Sequence, residues 1–281
     1  MIPLDHVVVT AELEGLRTLA RLDRPKIAVR HEDLPGASCH WMPSSGPGQR
    51  DLVRLRPGSR IPLPEILRSL VASRRRARGT GVELRGAESS FVGAADLMAR
   101  IGARRNLGLP RALMLLDLDD LDAEAAPVPG MAVAVADDEE SLRALRRVVS
   151  QVFADTSAEQ AADIDVEADF YHAPGEMTYV AVRDAEDRIM STGSILISGG
   201  VASIWSVATM PEQRGRGAAS AATWAACVEA RRRGAHAAAL RTDDDLASDG
   251  GLYARLGFAL VGHEQIWDID DLDAIGDLLE A

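Results

Sequence analysis

A predicted strand and a predicted helix are joined by the stretch Val207-Ala208-Thr209-Met210-Pro211-Glu212-Gln213-Arg214-Gly215-Arg216-Gly217-Ala218-Ala219. Pro211 ends the strand because proline has no backbone N–H to donate to a sheet. Gly215 and Gly217 lack a Cβ, so their backbone amides can approach a phosphate closely. The helix N-terminus adds unpaired N–H groups and a favourable dipole, and Arg214 and Arg216 add positive charge. The stretch therefore predicts a pyrophosphate-binding loop.

Other phosphate-binding loops fit these residues less well. A P-loop ends in Gly-Lys-Ser or Gly-Lys-Thr, and the stretch contains no lysine. A Rossmann fingerprint needs three glycines at its own spacing after an early strand. The remaining alternative is a glycine-rich turn that only begins a helix. The two arginines and the preceding strand favour the phosphate-binding loop over that alternative.

The residues around the loop alternate between strand-like and helix-like patterns. Strands are predicted at residues 131–135, 178–182, 189–197, 201–209, 237–241 and 258–267. Helices are predicted at residues 139–153, from Ser157 onward, at 217–233 and at 252–256. This order predicts an α/β domain that is built on a mixed sheet.

Two motifs in this order resemble those of a known family. Arg214-x-x-Gly217-x-Ala219, which follows Pro211, resembles the acyl-CoA-binding signature of the GNAT N-acetyltransferases. The segment Leu252-Tyr253-Ala254-Arg255-Leu256-Gly257-Phe258 is similar to the late helix-to-strand motif of that family. An offset register, Glu212-x-x-Gly215-x-Gly217, also fits the glycines but places a carboxylate first. The resemblance covers about residues 130–270 and implies the acyl-CoA N-acyltransferase fold, an α/β (α+β) fold with a mixed, mostly antiparallel sheet flanked by helices.

The resemblance implies an N-acetyltransferase that uses acetyl-CoA as co-substrate, with direct attack of a primary amine on the thioester. The backbone of Val207, Ala208 and Thr209 would pair with the pantetheine arm, as an added strand pairs with a sheet edge. Tyr253 would be the general acid for the departing thiolate, and its alternative role is that of a core aromatic packed behind Phe258. The pyrophosphate would be held by the loop residues Arg214, Gly215, Arg216, Gly217, Ala218 and Ala219.

The sequence does not identify a general base. Many members of the family carry a glutamate on the strand that corresponds to residues 201–209, and this strand has none. An alkylammonium has a pKa of about 10, so a proton must leave before attack, through a side chain or through a water relay. The candidate side chains near the expected acceptor site are Glu167, Asp169, His172, Asp243, Asp244 and Asp245.

The two halves of the chain repeat short motifs in the same order. The matched segments are 78–79 with 233–234, 82–85 with 238–241, 97–103 with 252–258, and 117–123 with 268–274. A linker rich in alanine and proline at 123–130 separates the halves, so we predict domains at residues 1–125 and 130–281. Met98 stands opposite Tyr253, and the proline-rich stretch Arg56–Pro64 stands opposite the loop. We interpret the first half as a degenerate GNAT-like domain that shapes the acceptor cleft, with chance repetition as the alternative.

Composition limits the partners of the protein. A formal net charge of −12 argues against nucleic acid, and no apolar run approaches the roughly 18 residues that span a membrane. The first residues lack the pattern of a secretion signal, and Cys39 and Cys227 give neither a disulfide framework nor a metal site. We therefore expect a cytoplasmic monomer or homodimer whose acceptor is a small-molecule amine or a protein amine. The alternative function is a non-catalytic acyl-CoA-binding sensor or interaction module.

Overall fold

The computed structural model describes residues 3–21, 30–41, 50–74, 81–109, 111–121, 128, 131–136, 138–153 and 177–280. The chain forms two compact units, and each unit combines segments that are distant in the sequence. The first unit contains Met1–Leu113, Arg241–Asp244 and Val261–Ala281, and the second contains Met114–Leu240 and Asp245–Leu260. The predicted domains at 1–125 and 130–281 follow the sequence repeat, whereas the compact units group residues 261–281 with the first half.

Helices and strands alternate along most of the described chain. The helices are α1 (Leu4–Arg21), α2 (Leu63–Arg74), α3 (Ala95–Arg100), α4 (Glu139–Phe153), α5 (Ala218–Arg232), α6 (Asp244–Ala247), α7 (Leu252–Arg255) and α8 (Leu272–Glu280). The strands are β1 (Arg30–Leu34), β2 (Ala37–Trp41), β3 (Asp51–Leu55), β4 (Val82–Ala87), β5 (Arg104–Arg105), β6 (Ala112–Asp117), β7 (Ala132–Ala136), β8 (Met177–Arg183), β9 (Ile189–Ser198), β10 (Val201–Thr209), β11 (Ala237–Thr242) and β12 (Ala259–Ile269). Short 3₁₀ helices occupy Glu88–Phe91 and Pro211–Gln213.

The first unit is built on a sheet whose strand order is β1-β2-β3-β4-β12. β3 and β4 pair parallel and the other neighbours pair antiparallel. α1 packs against β1 and β4, and α2 packs against β1 and α8. The core of this unit includes Ile269 at the end of β12 and Leu272, Ile275 and Leu279 of α8. Burial of these side chains explains why the C-terminal segment belongs to the first unit.

Charged side chains are buried inside the first unit. Arg54 and Glu264 are 1% and 0% exposed, and Arg54 Nη1 donates to Glu264 Oε1 at 2.8 Å. The other carboxylate oxygen of Glu264 accepts a bond from Arg241 Nη1 at 2.7 Å, and Arg54 Nη2 donates to Glu12 Oε1 at 2.6 Å. Burial alone would raise the pKa of Glu264, but the guanidinium groups of Arg54 and Arg241 lower it below its usual range. These four residues form what we call the Glu264 network.

The second unit is built on a sheet whose strand order is β6-β11-β10-β9-β8-β7. β10 and β11 pair parallel, and the strands from β7 to β10 pair antiparallel with their neighbours. α4 packs on β8, β9 and β10, and α5 packs on the strands from β7 to β10. The side chains of Ala221, Ala222 and Ala226 in α5 are fully buried. Their small size lets the helix lie close to the sheet and fixes the position of its N-terminus.

The predicted mixed, mostly antiparallel sheet with flanking helices is confirmed. α4 and β10 have the predicted bounds, and α5 begins and ends one residue inside its predicted range. The sequence patterns did not predict α6 or α8, and the helix predicted from Ser157 lies outside the described residues. Among the helices that the structure describes, none is both long and apolar enough to cross a membrane.

The two units share an order of elements around their parallel strand pairs. In the first unit β3 leads through a loop into α2 and then β4, and in the second β10 leads through a loop into α5 and then β11. The loop of the first unit lies within the stretch Arg56–Pro64, as the repeat alignment expects. The interpretation of the first half as a degenerate copy stays a prediction.

Candidate functional site

Strand β10 departs from regular pairing near its end. The register with β9 shifts between Trp205 and Ala208, so that Ser206 and Val207 together stand opposite Gly193. Two residues against one define a β-bulge, which bends a strand and redirects its backbone groups. Ser206 has a φ of +53°, in the left-handed region that residues with a Cβ rarely adopt. The bulge therefore places strained backbone at the residues that immediately precede the loop.

The other edge of β10 is paired over only part of its length. β11 pairs parallel with Val201–Ser203. Within the described residues, no register continues this pairing beyond Ser203. The backbone of residues 204–209 therefore lies at a strand edge, where an extended ligand can add as a further strand. The predicted donor-binding residues Val207, Ala208 and Thr209 all belong to this segment.

The loop that connects β10 to α5 contains two glycines in left-handed conformations. Gly215 has a φ of +74° and Gly217 has a φ of +84°. A Cβ at Gly217 would stand 2.9 Å from Cγ2 of Val128, so a larger residue is excluded by space as well as by φ. Apart from Gly215 and its two chain neighbours, no described heavy atom lies within 4 Å of the Cβ position of Gly215, so the loop is open there.

The N-terminus of α5 begins without a side-chain cap. Gly217 is the N-cap residue and provides no side-chain cap, and the first intrahelical bond of this turn runs from the N–H of Ala221 to the carbonyl of Gly217. The N–H groups of residues 218–220 are the ones that a helix leaves unsatisfied at its start. Together with the helix dipole they form a site that suits an anion.

Arg214 and Arg216 are exposed at this helix start. Arg214 Nε lies 3.5 Å from the carbonyl of Thr209, and Arg216 Nη1 donates to Gln213 Oε1 at 2.6 Å. Neither guanidinium group has a carboxylate partner in the part of the chain that the structure describes, in contrast to Arg188, which pairs with Asp184 at 2.8 Å. The positive charge of the loop is therefore available to a phosphate ligand.

Tyr253 lies on α7, which contacts α5. The ring of Tyr253 is 7% exposed and packs edge to face on Phe258, with ring centroids 6.0 Å apart. This packing holds the ring in one position and is the contact expected of a core aromatic. The same packing fixes the position of the phenol oxygen, which is the atom that a general acid requires.

The candidate general bases differ in their surroundings: one is paired, two are exposed, and three lie outside the described residues. Asp244 pairs with Arg111 at 2.9 Å and with His263 at 3.3 Å. Asp243 and Asp245 are exposed. The candidates in the segment before β8, namely Glu167, Asp169 and His172, lie outside the described residues. Asp244 therefore already has two side-chain partners, Arg111 and His263.

Sequence reasoning missed a row of hydroxyl groups on β9. Ser191, Thr192 and Ser194 are all at most 1% exposed, and each donates a hydrogen bond to a carbonyl oxygen of β10. The signal in the sequence is the run Ser-Thr-Gly-Ser, which interrupts an otherwise apolar strand. A buried hydroxyl needs a partner, so this run marks side chains that must form hydrogen bonds inside the sheet.

Both cysteines are buried packing residues. Burial raises the pKa of the Cys227 thiol to about 12, and burial also raises the pKa of the Cys39 thiol above its usual range. Neither thiol ionises near neutral pH, so neither is a nucleophile in the folded protein. The next residue after Cys39, His40, is 1% exposed, and burial lowers its pKa to about 3.

Comparisons with known proteins find a family match over part of the chain and similar folds over most of it. The model of the acetyltransferase (GNAT) family matches residues 142–258, which include β10, the loop and Tyr253. A search of curated protein sequences found no match. A GCN5-related N-acetyltransferase from Kribbella flavida is 18% identical with a TM-score of 0.68, and the match covers 96% of this chain and 97% of that one.

Two further solved structures have the same fold. A GCN5-related N-acetyltransferase from Sphaerobacter thermophilus is 19% identical with a TM-score of 0.55, over 91% of this chain and 84% of that one. A tandem GNAT protein from the clavulanic acid biosynthesis pathway is 16% identical with a TM-score of 0.59, over 95% of this chain and 97% of that one. These similarities show the fold, and the predicted GNAT fold is confirmed.

Proposed function

We propose that this chain, whose residues 142–258 form a domain of the acetyltransferase (GNAT) family, transfers an acetyl group from acetyl-CoA to a primary amine. The acceptor that we favour is a small molecule. The observation that carries the proposal is the continuity of three features in one segment. These features are the strand edge at residues 204–209, the uncapped N-terminus of α5, and two arginines that have no carboxylate partner among the described residues.

Each feature suits a different part of the donor. An extended pantetheine arm carries amide groups that can pair with the edge of β10 as a further strand does. The pyrophosphate would accept hydrogen bonds from the N–H groups at the start of α5 and from Arg214 and Arg216. A glycine at positions 215 and 217 keeps side chains out of this region. The residues present therefore suit the pantetheine arm and the pyrophosphate of acetyl-CoA.

The reaction requires one bond to form and one to break. The neutral amine nitrogen attacks the thioester carbonyl carbon, the new C–N bond replaces the C–S bond, and the amide is released. The departing thiolate takes a proton, for which we propose the phenol of Tyr253 as donor. The proton lost by the amine passes to water or to a carboxylate at the acceptor site. The reaction written in this way is balanced without a metal ion.

A non-catalytic acyl-CoA sensor is the second candidate. It is favoured by the composition of β10, which carries no carboxylate between Val201 and Thr209. A sensor would bind acetyl-CoA through the same strand edge and loop. It would release no thiol in the presence of any amine.

Release of free CoA thiol from acetyl-CoA, measured with a chromogenic thiol reagent in the presence of a panel of primary amines, tests the proposal. Cys39 and Cys227 are buried, so the native protein adds little background signal. We expect thiol release that depends on both the enzyme and one class of amine, with mass-spectrometric detection of the acetylated product. Binding of acetyl-CoA without thiol release for any amine would instead support the sensor.

A further inference from the structure

We infer that three buried hydroxyl groups of β9, those of Ser191, Thr192 and Ser194, are positioning residues that aim backbone N–H groups of the β10 bulge at the donor thioester. This inference rests on the proposed function and adds to it the residues that prepare the site for catalysis. It starts from hydrogen bonds that run from one strand's side chains to the next strand's backbone. These bonds are concentrated at the bulge.

The hydrogen bonds share one pattern, in which a β9 hydroxyl donates to a β10 carbonyl oxygen. The pairs are Ser194 Oγ to the carbonyl of Trp205 at 3.1 Å, Thr192 Oγ1 to that of Ser206 at 3.1 Å, and Ser191 Oγ to that of Ala208 at 3.0 Å. The bulge disturbs the regular ladder at these residues. The three hydroxyls therefore add side-chain donors to the backbone carbonyls of the bulge and of the residues that flank it.

These bonds also fix the direction of the following N–H groups. A trans peptide group is planar, so the N–H of each residue points opposite to the carbonyl of the residue before it. The carbonyls of Trp205, Ser206 and Ala208 are held toward β9. The N–H groups of Ser206, Val207 and Thr209 therefore point away from β9, toward the edge at which β11 does not continue the pairing.

An edge N–H that is held in this direction can donate to the thioester carbonyl oxygen. That oxygen gains negative charge when the amine attacks, and donors that are already oriented toward it stabilise the transition state more than the ground state. The left-handed φ of Ser206 shows that this backbone conformation is not the relaxed one. The hydroxyl bonds offset that strain and keep the N–H groups in place before the donor arrives.

Burial and a further side-chain contact keep these hydrogen bonds in place. Ser191, Thr192 and Ser194 are 0%, 1% and 0% exposed, so water cannot replace the hydroxyl donors. Ser191 Oγ also lies 2.8 Å from Thr209 Oγ1, which ties the last residue of β10 to the same row. Loss of one hydroxyl would remove one of the bonds that hold the bulge and would let the bulge relax.

Thr192→Val and Thr192→Ser form a matched pair for the test, because valine keeps the shape without the hydroxyl and serine keeps the hydroxyl. We expect Thr192→Val to lower kcat by about tenfold or more, as when a transition-state interaction is lost, with the KM for acetyl-CoA changed by less than about threefold. We expect Thr192→Ser to retain kcat within about twofold. Thr178→Val makes the same change at a buried threonine of β8 and should leave kcat unchanged.

Steady-state thiol release as a function of acetyl-CoA concentration gives both constants for each protein. Equal kcat in Thr192→Val and the unaltered protein would overturn the inference, and so would equal losses in Thr192→Val and Thr192→Ser. If Thr192→Val does not fold, Ser194→Ala replaces it and deletes one hydroxyl of the same row. Absence of turnover in the unaltered protein would refute the proposed function and this inference with it, whereas turnover that Thr192→Val leaves intact would refute the inference alone.

Discussion

We expect Tyr253→Phe to lower kcat by about 10²- to 10⁴-fold, the range for loss of a general acid, while the Kd for acetyl-CoA changes by no more than about twofold. Phenylalanine keeps the ring that packs on Phe258 and removes only the hydroxyl. The thiolate must then leave without a proton donor in place, so turnover falls while donor binding is preserved. Steady-state kinetics and calorimetric titration measure the two quantities separately.

Tyr179→Phe is the matched control for this substitution. Tyr179 is 4% exposed on β8, two strands away from β10 in the sheet, and loses the same hydroxyl. Its kcat should be unchanged. If Tyr253→Phe kept full turnover, Tyr253 would be a packing residue and the thiolate would be protonated by another group. If it lost acetyl-CoA binding in proportion to turnover, the phenol would contribute to the binding of the donor and not to its chemistry.

We expect Glu264→Gln to lower the free energy of unfolding by about 3–5 kcal/mol at pH 7, the range for breaking a buried ion pair. Glutamine keeps the volume but removes the charge that faces Arg54 and Arg241. Arg54 is 1% exposed, so its guanidinium group cannot recover its hydration when the carboxylate is lost. Urea unfolding followed by circular dichroism measures the effect, and Glu186→Gln, on an exposed turn, is the control.

We also expect the effect of Glu264→Gln on the free energy of unfolding to depend on pH. The folded protein lowers the pKa of Glu264 below the value of about 4.3 that an unfolded chain has. Its contribution to stability is therefore complete above that value and is lost as the pH falls below it. The difference in the free energy of unfolding between the unaltered protein and Glu264→Gln should be largest near neutral pH. It should become smaller below about pH 4. If this difference instead became larger as the pH falls, the ionised carboxylate of Glu264 would not be what stabilises the Glu264 network.

The loop and α5 could be predicted from the sequence because their signals are local. Pro211 ends a strand and the two glycines permit left-handed backbone wherever they occur. Arg214 and Arg216 carry their charge in any fold. The position of a ligand site at a helix start follows from the chemistry of the backbone itself. The resemblance to a family motif added the expectation of an acyl-CoA donor, which the residues alone do not specify.

The bulge and the Glu264 network could not be predicted, because both depend on which segments meet. The register shift between Trp205 and Ala208 exists only relative to β9. Glu264 stands between His263 and Gln265 on a strand with no local sign of burial, and its partner Arg54 is 210 residues earlier in the chain. The grouping of residues 261–281 with the first half could not be predicted for the same reason. Pairing between strands that are far apart in the sequence leaves no periodic signal.

Calorimetric titration of the purified protein with acetyl-CoA tests the assignment of the loop as the donor site most directly. The unaltered protein should bind acetyl-CoA with a micromolar Kd, and Arg214→Ala should weaken binding by about tenfold or more, the effect of one charge-assisted hydrogen bond. Arg188→Ala removes an exposed arginine from the turn between β8 and β9 and should leave the Kd unchanged. Parallel titrations with dephospho-CoA and ATP separate recognition of the pantetheine arm from recognition of phosphate groups. Absence of acetyl-CoA binding, or equal affinity in Arg214→Ala, would mean that the loop only begins a helix.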